Sequence, residues 1–127
     1  MLNKKNDYLL IIRDACLEHF RIPLTDFMNY KSRKNNLVIC RQTIFALANE
    51  LTGFTTGFIG EMFNKDHSTV IHSCKQVKNR NEIYSEFRLA YNRIRFDVMN
   101  KFFLLENKDK NDKELIDNNE QQFNIYL

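Results

Sequence analysis

A single proline and three glycines in 127 residues leave this chain little of the turn chemistry that a many-stranded β protein needs. Apolar residues instead recur at three and four positions over long stretches, the period of helices that bury one face. The length suits one domain, and 43% hydrophobic residues, 11 Phe and 5 Tyr among them, are enough for one compact core. The expectation is an all-α protein of about six helices.

Asp7 is placed to cap a first helix reaching Phe20, with Leu9, Ile12, Cys16 (or Ala15) and Phe20 on one stripe. Ile22-Pro23 breaks it, and Thr25 can cap a short second helix through Phe27 and Met28. Tyr30 to Asn36 is polar, basic and free of acids, which reads as a loop. A third helix from Leu37 to Leu51 aligns Ile44, Leu47, Ala48 and Leu51. Its Val38-Ile39-Cys40 start would also suit a strand, but the length of the pattern favours helix, and Gly53 is a natural left-handed end. Thr55 can cap a short fourth helix to Phe63, and Asn64-Lys65 then form a tight turn. Asp66 can cap a fifth helix from His67 to about Lys78. The sixth helix, from Glu82 to Leu105, carries Ile83, Phe87, Ala90 (or Tyr91), Ile94, Val98, Phe102 and Leu105 as its core stripe. From Asn107 the chain turns polar, so residues 107–127 are expected as a mostly disordered tail behind a domain of residues 1–106.

The segment 55–78 has the lengths of a helix-turn-helix: a short helix, a tight turn and a second helix. The second helix opens on four polar residues, Asp66, His67, Ser68 and Thr69, followed at once by Val70 and Ile71. That layout suits a helix whose first turn points into a groove while its body packs on the domain. Asp accepts from a cytosine amino group, His meets base edges as donor or acceptor, and hydroxyls bond phosphates or bases. The Thr69 methyl suits a thymine methyl, and the helix N-terminus suits a phosphate.

The run from Ile59 to Lys75, with Asp66-His67-Ser68-Thr69-Val70 at its centre, closely resembles the signature of the C-terminal DNA-binding domain of the bacterial replication initiator DnaA. Cys40-Arg41-Gln42 followed by Ala46-Leu47-Ala48-Asn49-Glu50-Leu51-Thr52 is similar to the same domain's third helix, and Phe20 to Phe27 to its opening. The resemblance covers roughly residues 7–98. It implies a Trp-repressor-like helical domain with a long C-terminal helix, binding a nine-base-pair asymmetric box in double-stranded DNA as a monomer. Asp66, His67 and Ser68 would read the major groove, with Thr69, His72 and Lys75 facing the backbone along the same helix. The basic loop, Lys31, Ser32, Arg33 and Lys34, would reach phosphates or the adjacent minor groove. Arg41 and Gln42, Lys65, and the backbone around Thr55, Thr56 and Gly57 would hold phosphates.

The chain also departs from that pattern. The turn Phe63-Asn64-Lys65-Asp66 is shorter than the family's Gly-Gly-Arg type, with Lys65 in place of the arginine, and Cys40 and Asn49 replace the usual proline and basic residue. No Gly-x-x-x-x-Gly-Lys-Ser/Thr loop fits these three glycines, so ATP hydrolysis is not expected of this stand-alone reader.

Charge adds modestly to the DNA reading: residues 1–100 hold 15 Lys/Arg against 10 acids, residues 101–127 four Lys against six. No apolar run approaches the ~18 residues of a membrane span, and the start lacks a signal-peptide core. Cys16, Cys40 and Cys74, an odd count set among apolar residues, read as buried thiols of a cytoplasmic protein, with no metal-ligand spacing to the three His. A Cys–His nucleophile fails on spacing: Cys74 lies two helical turns from His67, and His72 is an i, i+2 neighbour on another face. No enzyme, cofactor or small-molecule substrate is expected. The expected role is transcription regulation or replication control, as in a phage or mobile element. The competing class is a protein-interaction or virion-assembly component that keeps the fold.

Overall fold

The computed structural model describes the backbone of residues 4–28 and 34–126, and their side chains as far as Lys108. Six helices follow in order: α1 (Lys4–Phe20), α2 (Leu24–Phe27), α3 (Asn35–Thr52), α4 (Thr56–Met62), α5 (His67–Ile83) and α6 (Ser85–Tyr126). The all-α class read from the glycine and proline count is what forms. Lys31, Ser32 and Arg33 of the basic loop lie outside the described residues.

The helix α3 is the centre, packed on α1, α4, α5 and α6. Leu37, Cys40 and the continuous run Thr43–Ala48 are buried along it, so it is apolar on nearly every side. Leu9, Ile12 and Cys16 of α1, Ile59 of α4, Val70 and Val77 of α5, and Ile94 and Val98 of α6 close the core around it. Each such aliphatic side chain contributes roughly 1.5–3 kcal/mol through burial. Thr43, fully buried, donates its hydroxyl to Ile39 O at 2.8 Å, so no polar atom is stranded there.

The end of α1 shows how a turn forms without glycine. Ile22 N–H donates to Leu17 O at 3.0 Å and Arg21 N–H to Glu18 O at 3.2 Å, with Arg21 at φ 55°. These two bonds satisfy the last carbonyls of the helix, and the buried Ile22 pins the exit. A left-handed Arg is strained by its Cβ, at a cost of about 1 kcal/mol. Arg21→Gly is therefore expected to stabilise the free protein by up to about 0.5 kcal/mol, since the relief exceeds the added freedom of the unfolded chain. Urea denaturation without DNA measures it; a lower midpoint would show that the Arg21 side chain contributes more than its backbone strain costs.

Several helix ends differ from the expected ones. Asp7 lies inside the first turn of α1 rather than capping it, and Pro23, with no side-chain bond, precedes α2 where Thr25 was expected to cap. The helix α5 continues to Ile83, beyond Lys78, and only Tyr84 (φ −112°, ψ 109°) separates it from α6. The helix α6 itself runs past the expected end at Leu105 to Tyr126, so its backbone is helical through residues expected as a mostly disordered tail. Arg80 supports the extension of α5: its guanidinium sits 5.3 Å from the Phe87 ring and donates to Gln42 Oε1 at 3.1 Å. Ile83, expected in the core stripe, is 69% exposed at that corner.

Two polar ties dock α6. Glu50 of α3 accepts from Tyr91 Oη at 2.8 Å and from Arg95 Nε at 2.9 Å, and burial together with Glu50 pushes the Tyr91 phenol up. Tyr8 of α1 donates to Glu106 at 3.0 Å and meets the Phe102 ring edge-on at 4.7 Å. Cys16 and Cys40 are buried and Cys74 half-buried; burial pushes the Cys40 thiol up to about 12 and raises the other two. None of the three is a ready thiolate at neutral pH.

Candidate nucleic-acid interface

The site is built on the α4–α5 corner. Thr55 caps α4 as its pattern predicts, its hydroxyl accepting from Phe58 N–H at 3.1 Å. At the other end, Lys65 N–H donates to Gly60 O at 2.8 Å and Asn64 N–H to Glu61 O at 3.1 Å, with Asn64 at φ 56°. Asparagine tolerates this left-handed position better than most residues, so the turn closes without a glycine at its left-handed residue. Gly60 makes it possible: a Cβ there would stand 2.5 Å from Lys65 O and 3.2 Å from the Asp66 carbonyl. Phe63, buried beneath the turn, stacks edge-on against Phe27 and Phe45.

Asp66 then turns the chain into α5, extended at ψ 155°. One carboxylate oxygen accepts from His67 N–H at 2.8 Å and lies 2.9 Å from His67 Nδ1, while the other accepts from Ser68 Oγ at 2.9 Å. The Ser68 hydroxyl, then the His67 amide, hold the Asp66 carboxyl below the usual carboxylate range, so it is an ionised acceptor at neutral pH. With Nδ1–H committed to Asp66, a neutral His67 ring presents Nε2 as an acceptor, and a protonated one presents it as a donor.

The two faces of α5 divide sharply. Val70, Ser73 and Val77 are buried, and Ser73 bonds back to Thr69 O at 2.8 Å. Opposite them Asp66, His67, Ser68, Thr69, His72 and Lys75 are all exposed, as expected of groups meant for another molecule. Ile71 joins them at 42% exposure, four residues after His67 and four before Lys75 on the same stripe. It was read from sequence only as part of the apolar body; its side chain suits a thymine methyl. The signal was available, since Val70 alone continues the inward spacing toward Ser73 and Val77.

Around this face the remaining expected residues are placed unevenly. Thr55 and Gly57 are exposed at the start of α4, with Thr56 half-buried between them. Gly57, Glu61, Asn64, Lys65, Asp66 and His67 line one open cleft between α4 and the turn. Lys34 is exposed at the start of α3. Arg41 and Gln42 are half-buried and engaged within the protein: Arg41 donates to Phe27 O at 3.4 Å and lies over the Phe27 ring, and Gln42 accepts from Arg80. Among the described residues no group of three or more His, Cys, Asp or Glu is placed to hold a metal, and no helix is long and apolar enough to cross a membrane.

The family described as the bacterial DnaA protein helix-turn-helix matches residues 11–77, more than half of the chain and the whole of the corner just described. The chain belongs to that family. Curated relatives agree. The chromosomal replication initiator protein DnaA of Bacteroides thetaiotaomicron is 38% identical over 85 residues, 66% of this chain and 18% of the relative. That of Bacteroides fragilis is 42% identical over 79 residues, 61% and 16%, and that of Caldanaerobacter subterraneus subsp. tengcongensis 39% over 80, 63% and 17%. The chain thus spans less than a fifth of the length of these relatives. It carries the DNA-binding helix-turn-helix unit of the DnaA family, with α4 as first helix and α5 as second, on an all-α fold.

Proposed function

We propose that this chain is a sequence-specific reader of double-stranded DNA that recognises a DnaA-box-like site without ATPase chemistry, in replication control or transcription regulation. The observation that carries the reading is the first turn of α5: Asp66, His67, Ser68 and Thr69 are exposed on a helix whose opposite face is buried. A helix so anchored presents its N-terminal residues to a major groove wide enough to admit it. Asp66, His67 and Ser68 read base edges, Ile71 adds a methyl contact, and Thr69, His72 and Lys75 flank them toward the backbone. Thr55, Thr56, Gly57 and Lys65 hold phosphates beside the turn, and Lys34 does so with the basic loop Lys31, Ser32 and Arg33. Arg41 and Gln42 join only if their bonds to Phe27 and Arg80 are exchanged for phosphate. Residues 1–106 form the DNA-binding domain, and 107–127 an appended polar tail dispensable for it.

Selection from a random duplex library at moderate salt, with the full chain and with residues 1–106, tests this directly. The expected result is one short asymmetric motif enriched by both. Affinity for it should fall steeply with salt, log K losing about 0.9 per decade for each phosphate neutralised. Absence of any enriched motif would remove sequence-specific recognition, and enrichment by the full chain alone would move the domain boundary into the tail.

A further inference from the structure

Beyond the DNA-facing corner, the largest unexplained feature lies on α6. Its inner face carries Tyr91, Ile94 and Val98 into the core, yet a second apolar stripe runs along the outside. Leu89 is 60% exposed, Phe96 67%, Met99 44% and Phe103 65%. Leu89, Phe96 and Phe103 are spaced by seven, the a positions of a helix that packs along a second helix, with Met99 at the central d position and Asn92 and Glu106 at the outer two. So much contiguous apolar surface marks an interaction site. We propose that the stripe is a homodimer seam, on which α6 of a second copy lies antiparallel about a two-fold axis at Phe96.

Charge selects both the occupant and its direction. About that axis Leu89 meets Phe103 of the other copy and Phe96 meets itself. Glu86 then faces Lys108 and Arg93 faces Asp97, which Lys101 of its own chain also meets at 3.0 Å, while Arg88 faces Glu106, whose carboxylate also accepts from Tyr8 of its own chain. A parallel pair would instead set Arg88 against Arg93 through adjoining g and e positions. Arg95, the remaining charge beside the seam, is neutralised at home by Glu50. The domain body lies on the opposite side of α6, so two bodies do not collide across the pair. Four apolar side chains from each copy bury on the order of 1,000 Å², near the lower bound for a specific interface, so the dimer is concentration-dependent.

Sedimentation equilibrium of the full chain, from micromolar to submillimolar and without DNA, reads the association directly. The expected result is a shift from the 15.3 kDa chain to twice that mass, abolished by Phe96→Glu. Phe96 is exposed, so far-UV dichroism and the thermal midpoint of that variant should stay at wild-type values. Glu86→Lys and Lys108→Glu should each weaken the dimer about tenfold, and the double variant should restore it. Within one chain these residues lie about 33 Å apart along the helix, so rescue can only act between copies. A monomer at every concentration, or a dimer indifferent to Phe96→Glu, would overturn the seam; a double variant no better than the singles would overturn the antiparallel register.

Discussion

His67→Ala should lose ~1–3 kcal/mol of discrimination between the selected duplex and a scrambled one, while weak binding to the scrambled duplex stays unchanged. His67 is 62% exposed in its side chain and takes no part in the core, so the fold does not depend on it. Its contribution is directional: Asp66 fixes the ring through Nδ1, which aims Nε2 outward from the first turn of α5. Competition binding against both duplexes, at one salt concentration, measures the ratio. Equal losses on both duplexes would make His67 a phosphate ligand, and no loss on either would remove it from the interface.

Gly60→Val should be the most damaging single substitution on the DNA-binding corner. A Cβ at Gly60 would stand 2.5 Å from the Lys65 carbonyl oxygen and 3.2 Å from Asp66 backbone atoms, and neither neighbour is a flexible side chain that can swing away. The turn must open, which strains the bond from Lys65 N–H to Gly60 O and displaces the Asp66 cap. Overpacking of this kind costs roughly 1–3 kcal/mol, and the branched side chain puts Val at the upper end. Specific affinity should fall further than stability does, because α5 is re-aimed relative to α4. Urea denaturation paired with duplex binding separates the two; unchanged values in both would mean that the corner absorbs a side chain its backbone leaves no room for.

The helix-turn-helix was legible because its determinants are local. Thr55 and Asp66 announce their caps by residue type, and Val70, Ser73 and Val77 keep an inward spacing that leaves the polar first turn outside. The α5–α6 junction was not legible, for an equally local reason. Asn79 to Glu82 carry no apolar signal, and what continues the helix is Arg80, held by Phe87 and by Gln42, a partner 38 residues away. No glycine or proline marks Tyr84, so the break had no sequence cue. The core stripe of α6 was found, but spacing could not tell that Leu89, Phe96 and Phe103 form a second stripe facing away. That follows only once the inner face is filled by Tyr91, Ile94 and Val98. Arg41 and Gln42 show the converse: the family resemblance implied ligands, and the packing of α2 and α5 around them engages both internally.

The carboxylate of Asp66 ties the His67 ring and the Ser68 hydroxyl into one bonded set before any DNA arrives. If they read bases as proposed, three neighbouring residues behave as a single word rather than three letters. Replacing any one of them frees or redirects the other two, so the effects of single substitutions will not add. A change of preferred DNA sequence is then reached by exchanging the set together. Intermediates that alter one member would bind neither the old site nor the new one well, and such a landscape holds a lineage to its site while the rest of the domain drifts.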